Sequence, residues 1–327
     1  MLSDTIIYIG QFLIGLIFVV KGADFLTDGG SNIARVLNVS SLLIGLTIVA
    51  FGTSLPEFVV STIAATKGNS DMSLGNVVGS NVFNTLAVVG ITALFCPVVC
   101  KGALFRRDIP VNVIASLLMT FMLLFCGTHG ELNRIEGIIL LSLFAVYLSV
   151  SIYQSIKADK VRKAHQEEIP KGKTSVAKSV IMIVVGLGGL IIGGDWFVDG
   201  ASGIATKMGV SQSIVALTIV SIGTSLPELA TSVIAARKGD TDMAMGNVVG
   251  SNIFNLMLII GTAATITPIR TVDISYVDLS VMVGGAVLLW LSCMMSRKRQ
   301  ITFWTGLVFV AIVVAYYTYL ILKNSVC

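Results

Sequence analysis

The chain has 327 residues, of which 55% are hydrophobic and only 12% charged, with a mean hydropathy of +0.91. A water-soluble domain carries about twice that charged fraction, so the composition points instead to an integral membrane protein. The net charge of +4 is no sign of nucleic-acid binding, because the Lys and Arg sit at the ends of apolar segments, where membrane topology uses them.

Ten apolar segments are predicted, at 5–35, 40–66, 71–95, 109–127, 134–156, 177–206, 211–237, 242–266, 273–295 and 301–322. Each is long enough for a spanning helix of roughly 20 residues. None shows the alternation of a barrel strand of about 10 residues. Leu2–Val20 lacks a basic leader and runs on into GADFLTDGG, so it reads as the first membrane helix rather than a signal peptide. Asp24 and Asp28 follow at i, i+4. They read as a polar helix face near the interface, with an ion-attracting vestibule as the alternative.

The second segment is broken by Gly52-Thr53-Ser54-Leu55-Pro56-Glu57. Proline removes a backbone donor and clashes with the preceding turn. A break here should free carbonyls near Ala50–Thr53, and non-helical backbone at this depth survives only where it lines a cavity or is otherwise satisfied. The carbonyls, the Thr53 and Ser54 hydroxyls and the Glu57 carboxylate are hard oxygen donors, suited to sodium or calcium. A carboxylate at membrane depth is expensive and by default functional. The third segment carries Gly75 and Gly79, a face for close helix approach. It also places Asn76, Ser80 and Asn84 on one side at i, i+4, i+8. Asn76 and Asn81, like their later counterparts Asn247 and Asn252, read as structural hydrogen bonders rather than ligands.

The basic, polar stretch 157–176 reads as a cytosolic linker, after which the pattern begins again. Residues Ala216–Asn255 match Gly45–Asn84 at 27 of 40 positions, without a gap, at an offset of 171. Ser221, Thr224, Ser225 and Glu228 thus repeat the first motif, and Asn247, Ser251 and Asn255 the second, with Asn252 matching Asn81. GGDWFVDGAS at Gly193–Ser202 repeats GADFLTDGGS at Gly22–Ser31, so Asp195 and Asp199 match Asp24 and Asp28. The Gly186–Gly194 run, which leads into the second of these stretches, reads as close helix packing, or sliding. The domains are therefore 1–156, a first repeat, and 177–327, a second.

Five helices per repeat is an odd number, so the second repeat should cross the membrane the other way up. The charges agree. With both termini outside, inner loops hold sixteen Lys and Arg and outer loops five, namely Lys67, Arg134, Lys207, Arg270 and Lys323. The expected fold is an all-α polytopic membrane protein with ten transmembrane helices in two inverted-topology five-helix repeats. Crossing the repeats brings two carboxylates together, enough to balance one divalent or two monovalent cations.

The paired GTSLPE and GNVVGSN motifs resemble the cation/calcium exchanger superfamily, specifically the prokaryotic sodium/calcium exchangers, over essentially the whole chain. The resemblance implies a secondary active antiporter of calcium against sodium in the plasma (inner) membrane, working by alternating access. It implies ion ligands at Glu57 and Glu228, at Thr53, Ser54, Thr224 and Ser225, at the Ala50 and Ser221 carbonyls, at Ser80 and Ser251, and at the last site positions. Those last positions are Asn84 and Asn255 here, whereas the family often pairs Asn with Asp. A calcium/proton antiporter on the same scaffold and, from a different class, a cation channel are the alternatives. The ions are cargo and no cofactor is expected; the partners are calcium, sodium and the bilayer, with no nucleic acid, and the chain is expected to work as a monomer. An enzyme is not expected: Ser54 and Ser225 have no base, as His129 and His165 fall in predicted loops on opposite sides. Cys96, Cys100, Cys126, Cys293 and Cys327 read as small apolar residues, with no metal-binding spacing.

Overall fold

A computed structural model describes residues 2–37, 39–126, 131–164, 175–208, 221–270 and 274–325. The helices are α1 (Leu2–Leu37), α2 (Ser41–Thr53), α3 (Leu55–Thr66), α4 (Ser70–Phe95), α5 (Leu104–Phe125), α6 (Arg134–Ala164), α7 (Val176–Lys207), α8 (Ser221–Thr224), α9 (Leu226–Arg237), α10 (Thr241–Ile266), α11 (Tyr276–Met295) and α12 (Phe303–Ser325). Among the described residues, eight single helices are long and apolar enough to cross a membrane, and α2 with α3 makes one further span bent by 50°. The first part of the seventh expected segment, 211–220, lies outside the described residues.

The apolar part of α6 spans Arg134–Lys157, as expected, and the helix itself runs on to Ala164. One expectation needs correcting, because the fold is not wholly helical: β1 (Val98–Val99) pairs with β4 (Gln300–Ile301), and β2 (Glu131–Leu132) with β3 (Ile269–Arg270), both antiparallel. Each clips two loops together where the helices end. The peptide groups there have lost their helical partners and find each other.

The helices sort by burial. Most of α4 and α10 is enclosed, while α1, α7 and α12 expose apolar side chains such as Ile6, Val184 and Val314. The exposed stripes are the surface a bilayer would cover. At about 1.5 Å per residue α1 is roughly 54 Å long, well over the ~30 Å hydrocarbon core, so it tilts or projects.

α1 and α7 pack antiparallel along their length through glycines spaced by seven: Gly15, Gly22 and Gly29 against Gly186, Gly193 and Gly200. A Cβ on Gly22 would lie 2.7 Å from the Gly186 carbonyl oxygen, and one on Gly186 2.6 Å from the Leu26 nitrogen. Backbone touches backbone, so nothing there can yield. A seven-residue period keeps one stripe facing the partner, and small residues permit close approach. Gly246 and Gly250 of α10 do the same against α2, where a Cβ on Gly246 would meet the Leu42 oxygen at 2.8 Å.

Gly22→Ala should therefore destabilise the folded protein by roughly 1–3 kcal/mol, as overpacking does. Gly188→Ala, on α7 but with nothing within 4 Å of the added carbon, should not. Thermal unfolding in detergent compares the two.

Candidate ion site at the two helix breaks

α2 and α3 meet at Ser54, and α8 and α9 meet at Ser225. The two serines share a backbone conformation, φ −86° and ψ 8° against φ −94° and ψ 7°. This is the sparsely populated bridge region, common at functional sites. Pro56 and Pro227 then occupy the first turns of α3 and α9, where the missing N–H costs nothing. Glu57 and Glu228 lie one residue further on, at helix N-termini whose dipoles favour negative charge. The proline that breaks each span therefore also creates the helix start on which the acid sits.

The breaks do not leave every carbonyl free, as the motif suggests they should. The Ala50 carbonyl accepts from the Ser54 N–H at 3.0 Å and from the Thr53 hydroxyl at 3.3 Å. The chain closes its own gap with the Thr53 hydroxyl and the Ser54 N–H.

Both acids are 1% exposed, and each is held by the opposite repeat. The Ser54 hydroxyl donates to Glu228 Oε1 at 3.0 Å, and the Ser225 hydroxyl to Glu57 Oε1 at 3.4 Å. Ser251 adds a second bond to Glu228 Oε1 at 3.3 Å. Ser80, its counterpart, is buried but makes no matching bond to Glu57 among the described residues. The remaining oxygens, Glu57 Oε2 and Glu228 Oε2, are buried and uncommitted, as are both amide atoms of Asn84 and Asn255. Asn255 lies four residues beyond Ser251, on the face that meets Glu228. Thr53, Ala50 and Ser225 are buried as well, and Thr224 is half-buried. Ser221 begins α8, and nothing is described of its side chain.

Asn76 and Asn247 act as struts rather than as lining. Asn76 Nδ2 donates to the Glu57 carbonyl at 3.4 Å and to Ser61 Oγ at 2.9 Å. Asn247 Nδ2 donates to the Glu228 carbonyl at 3.2 Å and to Ser232 Oγ at 3.0 Å. Asn247 also accepts from the Thr53 hydroxyl at 3.1 Å, which ties α10 to the other repeat's break. Asn252 donates to Thr85 Oγ1 at 2.7 Å, whereas Asn81 turns back to the Val77 carbonyl at 2.8 Å. The position matching Thr85 is Leu256, so Asn81 has no hydroxyl to reach. Ser61 and Ser232 were not singled out from sequence, although they too recur at the offset of 171. Asn84 and Asn255 each fall in a π-helical stretch, Phe83–Val88 and Phe254–Ile259, a distortion that no motif announces and that often marks functional positions.

Among the described residues no group of three or more His, Cys, Asp or Glu is placed to hold a metal ion. The formal negative charge at the breaks is thus that of two carboxylates, surrounded by hydroxyl, amide and carbonyl oxygens. Oxygens of this hard type suit hard cations, and here they are buried in a helical scaffold.

Comparison with known proteins places the chain in a family. The family model for sodium/calcium exchanger protein matches residues 7–153 and 178–322, and the chain belongs to that family of integral membrane exchangers. It is 39% identical over 259 residues to a putative antiporter, CaxA, of Alkalimonas amylolytica, covering 78% of this chain and 80% of that one. It is 31% identical over 340 residues to the sodium/calcium exchanger MaX1 of Methanosarcina acetivorans, covering 93% and 95%. A solved structure of the sodium-calcium exchanger NCX_Mj, soaked with zero sodium and calcium, superposes with a TM-score of 0.81 at 31% identity, covering 95% of this chain and 97% of that one.

The strut bonds predict unequal mutants. Asn247→Ala removes three hydrogen bonds and Asn76→Ala two, each substitution leaving a buried carbonyl and a serine without their donor. At about 1 kcal/mol per bond, both should lower the unfolding midpoint of purified protein without added ions, Asn247→Ala the more.

Proposed function

We propose that this protein exchanges calcium for sodium across the plasma (inner) membrane, binding one calcium or a set of sodium ions at Glu57 and Glu228 and exposing them to each side in turn. The observation that carries the reading is the pair of buried acids, each steadied by the opposite repeat's serine and each with one oxygen still unpartnered. A buried anionic oxygen without a donor is costly, and a cation between the two would satisfy both. Thr53, Ser54, Ser80 and Asn84 with Thr224, Ser225, Ser251 and Asn255 complete the proposed ligand set. The Ala50 and Ser221 carbonyls join it once the Thr53 hydroxyl turns from Ala50 to the ion. The ions are cargo, with no resident cofactor and no catalytic step.

The scaffold in this reading is ten spans in two inverted repeats, 1–156 and 177–327, with both termini outside and 157–176 in the cytosol. Loop pairings support that sidedness. β1–β4 joins two loops assigned inside, and β2–β3 two assigned outside, where Arg270 also pairs with Glu131 at 2.7 Å. Lys207 reaches Thr5 at 3.2 Å, both on the assigned outer side. The antiparallel packing of α1 on its counterpart α7 suits an inverted pair.

Two measurements test the proposal. In proteoliposomes, a sodium gradient with high sodium inside should drive calcium uptake, and collapsing it should stop uptake. Uptake that follows only a pH gradient would make the protein a proton antiporter, and a conductance without any counter-ion gradient a channel. Glu57→Gln and Glu228→Gln each leave a divalent ion facing one charge instead of two, a large loss in a low-dielectric site. Both variants should fold yet lose calcium binding by calorimetry, and parental binding in either would reduce that acid to a structural role. Thiol labelling of Lys67→Cys and Lys238→Cys should report opposite faces of the membrane.

A further inference from the structure

Lys238, which caps the C-terminus of α9, is gripped by α1. Its Nζ lies 2.9 Å from Asp24 Oδ1 and 2.8 Å from Asp28 Oδ1, and it donates to the Asp24 carbonyl at 3.3 Å. Burial alone would lower the pKa of this ammonium, but the two carboxylates outweigh it and the pKa is raised. Beside it, the Ser31 hydroxyl of α1 donates at 3.0 Å to Asp240, the residue that caps the start of α10. Together these contacts shut the corner between α1 and the α9–α10 turn.

Every member of this cluster has a counterpart at the offset of 171. Lys67 caps α3 as Lys238 caps α9, and Asn69 starts α4 as Asp240 starts α10. Asp195, Asp199 and Ser202 of α7 match Asp24, Asp28 and Ser31. Yet the second cluster is not assembled. Lys67 is exposed and makes no ion pair with Asp195 or Asp199, and the Ser202 hydroxyl is buried without a partner. Where α1 is shut against its corner, α7 stands off. A cavity of about 360 Å³ lies there, lined by Asp195 and Asp199 on one wall, by Pro56 and Val60 of α3 on another, and by Thr224 and Pro227 at the break. It runs from the unpaired aspartates to the edge of the candidate ion site.

We propose that the two clusters are alternative latches of one gate: Lys238 on Asp24 and Asp28 closes one side of the membrane, Lys67 on Asp195 and Asp199 closes the other, and forming one requires breaking the other. This rests on the inverted-repeat reading above. Exclusivity follows from the α1–α7 seam. Its glycines bring backbone against backbone, so the two helices move as one body, and closing α7 onto the α3–α4 corner draws α1 off the α9–α10 corner. The latch is weak by construction, since Lys238, Asp24 and Asp28 are 32%, 38% and 52% exposed. Partly exposed ion pairs contribute little, which suits a contact broken in every cycle. The structure holds one of the two packings, and substitutions at either latch should shift the population between them.

Disulfide trapping tests this without any transported ion. In a background lacking the five native cysteines, Lys67→Cys with Asp199→Cys should cross-link under mild oxidation, reporting visits to the state not seen here. Adding Lys238→Gln weakens the closed latch and should raise the initial cross-linking rate about threefold, the scale of a partly exposed ion pair. The charge swap Lys238→Asp with Asp28→Lys should return the rate to that of the parent, a rescue that general loosening of the fold would not give. Failure of the 67–199 pair to cross-link overturns the latch, as does a rate unchanged or lowered by Lys238→Gln, or a swap that fails to restore it. The outcome is separable from the exchange reading. Trapping that behaves as expected beside absent sodium-driven calcium flux leaves the latch standing and removes the proposed cargo. Normal flux with insensitive trapping does the reverse.

Discussion

Glu57 and Glu228 are buried among apolar helices, and the rest of the structure answers the cost of putting them there. Removing a carboxylate from water costs several kcal/mol even after the protein relaxes. Four kinds of support offset part of that cost: the helix N-terminus under each acid, a serine hydroxyl from the opposite repeat, the backbone carbonyl held by Asn76 or Asn247, and the enclosure of α4 and α10 around them. None of these is a basic side chain. The dipoles and hydroxyls offset the buried charge only in part, so the acids are not one half of a structural ion pair.

The crossed serine bonds give the arrangement its logic. Ser54 precedes Glu57 by three residues yet bonds to Glu228, and Ser225 does the converse. Each break therefore contributes an acid to its own helix and a donor to the other's acid. The Thr53–Asn247 bond reinforces the crossing by joining the first break to α10. The two halves are nonetheless unequal. Thr85 gives Asn252 a partner that Leu256 denies to Asn81, and Ser251 reaches Glu228 where Ser80 leaves Glu57 alone. Glu228 is consequently the better-solvated acid of the two.

Around this centre the packing is of two kinds. α4 and α10 are enclosed, with large apolar contacts and π-helical stretches that fix Asn84 and Asn255. α1 and α7 lie outside, joined to each other through glycines and to the rest through few polar contacts. The glycine seam holds α1 and α7 to each other, while a partly exposed ion pair ties them to the rest more weakly than an interdigitated core would. The enclosed helices hold the acids, and α7 borders the cavity that reaches the second break.

Much of this was legible in the sequence because duplication marks it. Two acids at matching positions, each after a proline, identify the broken spans, and the long apolar runs give the helices, since in a bilayer the backbone must satisfy itself within each segment. What the sequence could not say is which partner each polar group takes, because a motif specifies a local backbone and not what faces it. Asn76 and Asn247 read as structural hydrogen bonders, but only the structure shows that their partners are the backbone of the broken helix and the hydroxyls of Ser61 and Ser232. The carbonyl of Ala50 looks free, but the neighbouring hydroxyl takes it. Asp24 and Asp195 stand in matching contexts in the two repeats, and only the tertiary structure distinguishes them, one pair of aspartates closed on a lysine and the other open on a cavity. Residue order is nearly the same in the two halves, so which corner is paired belongs to packing.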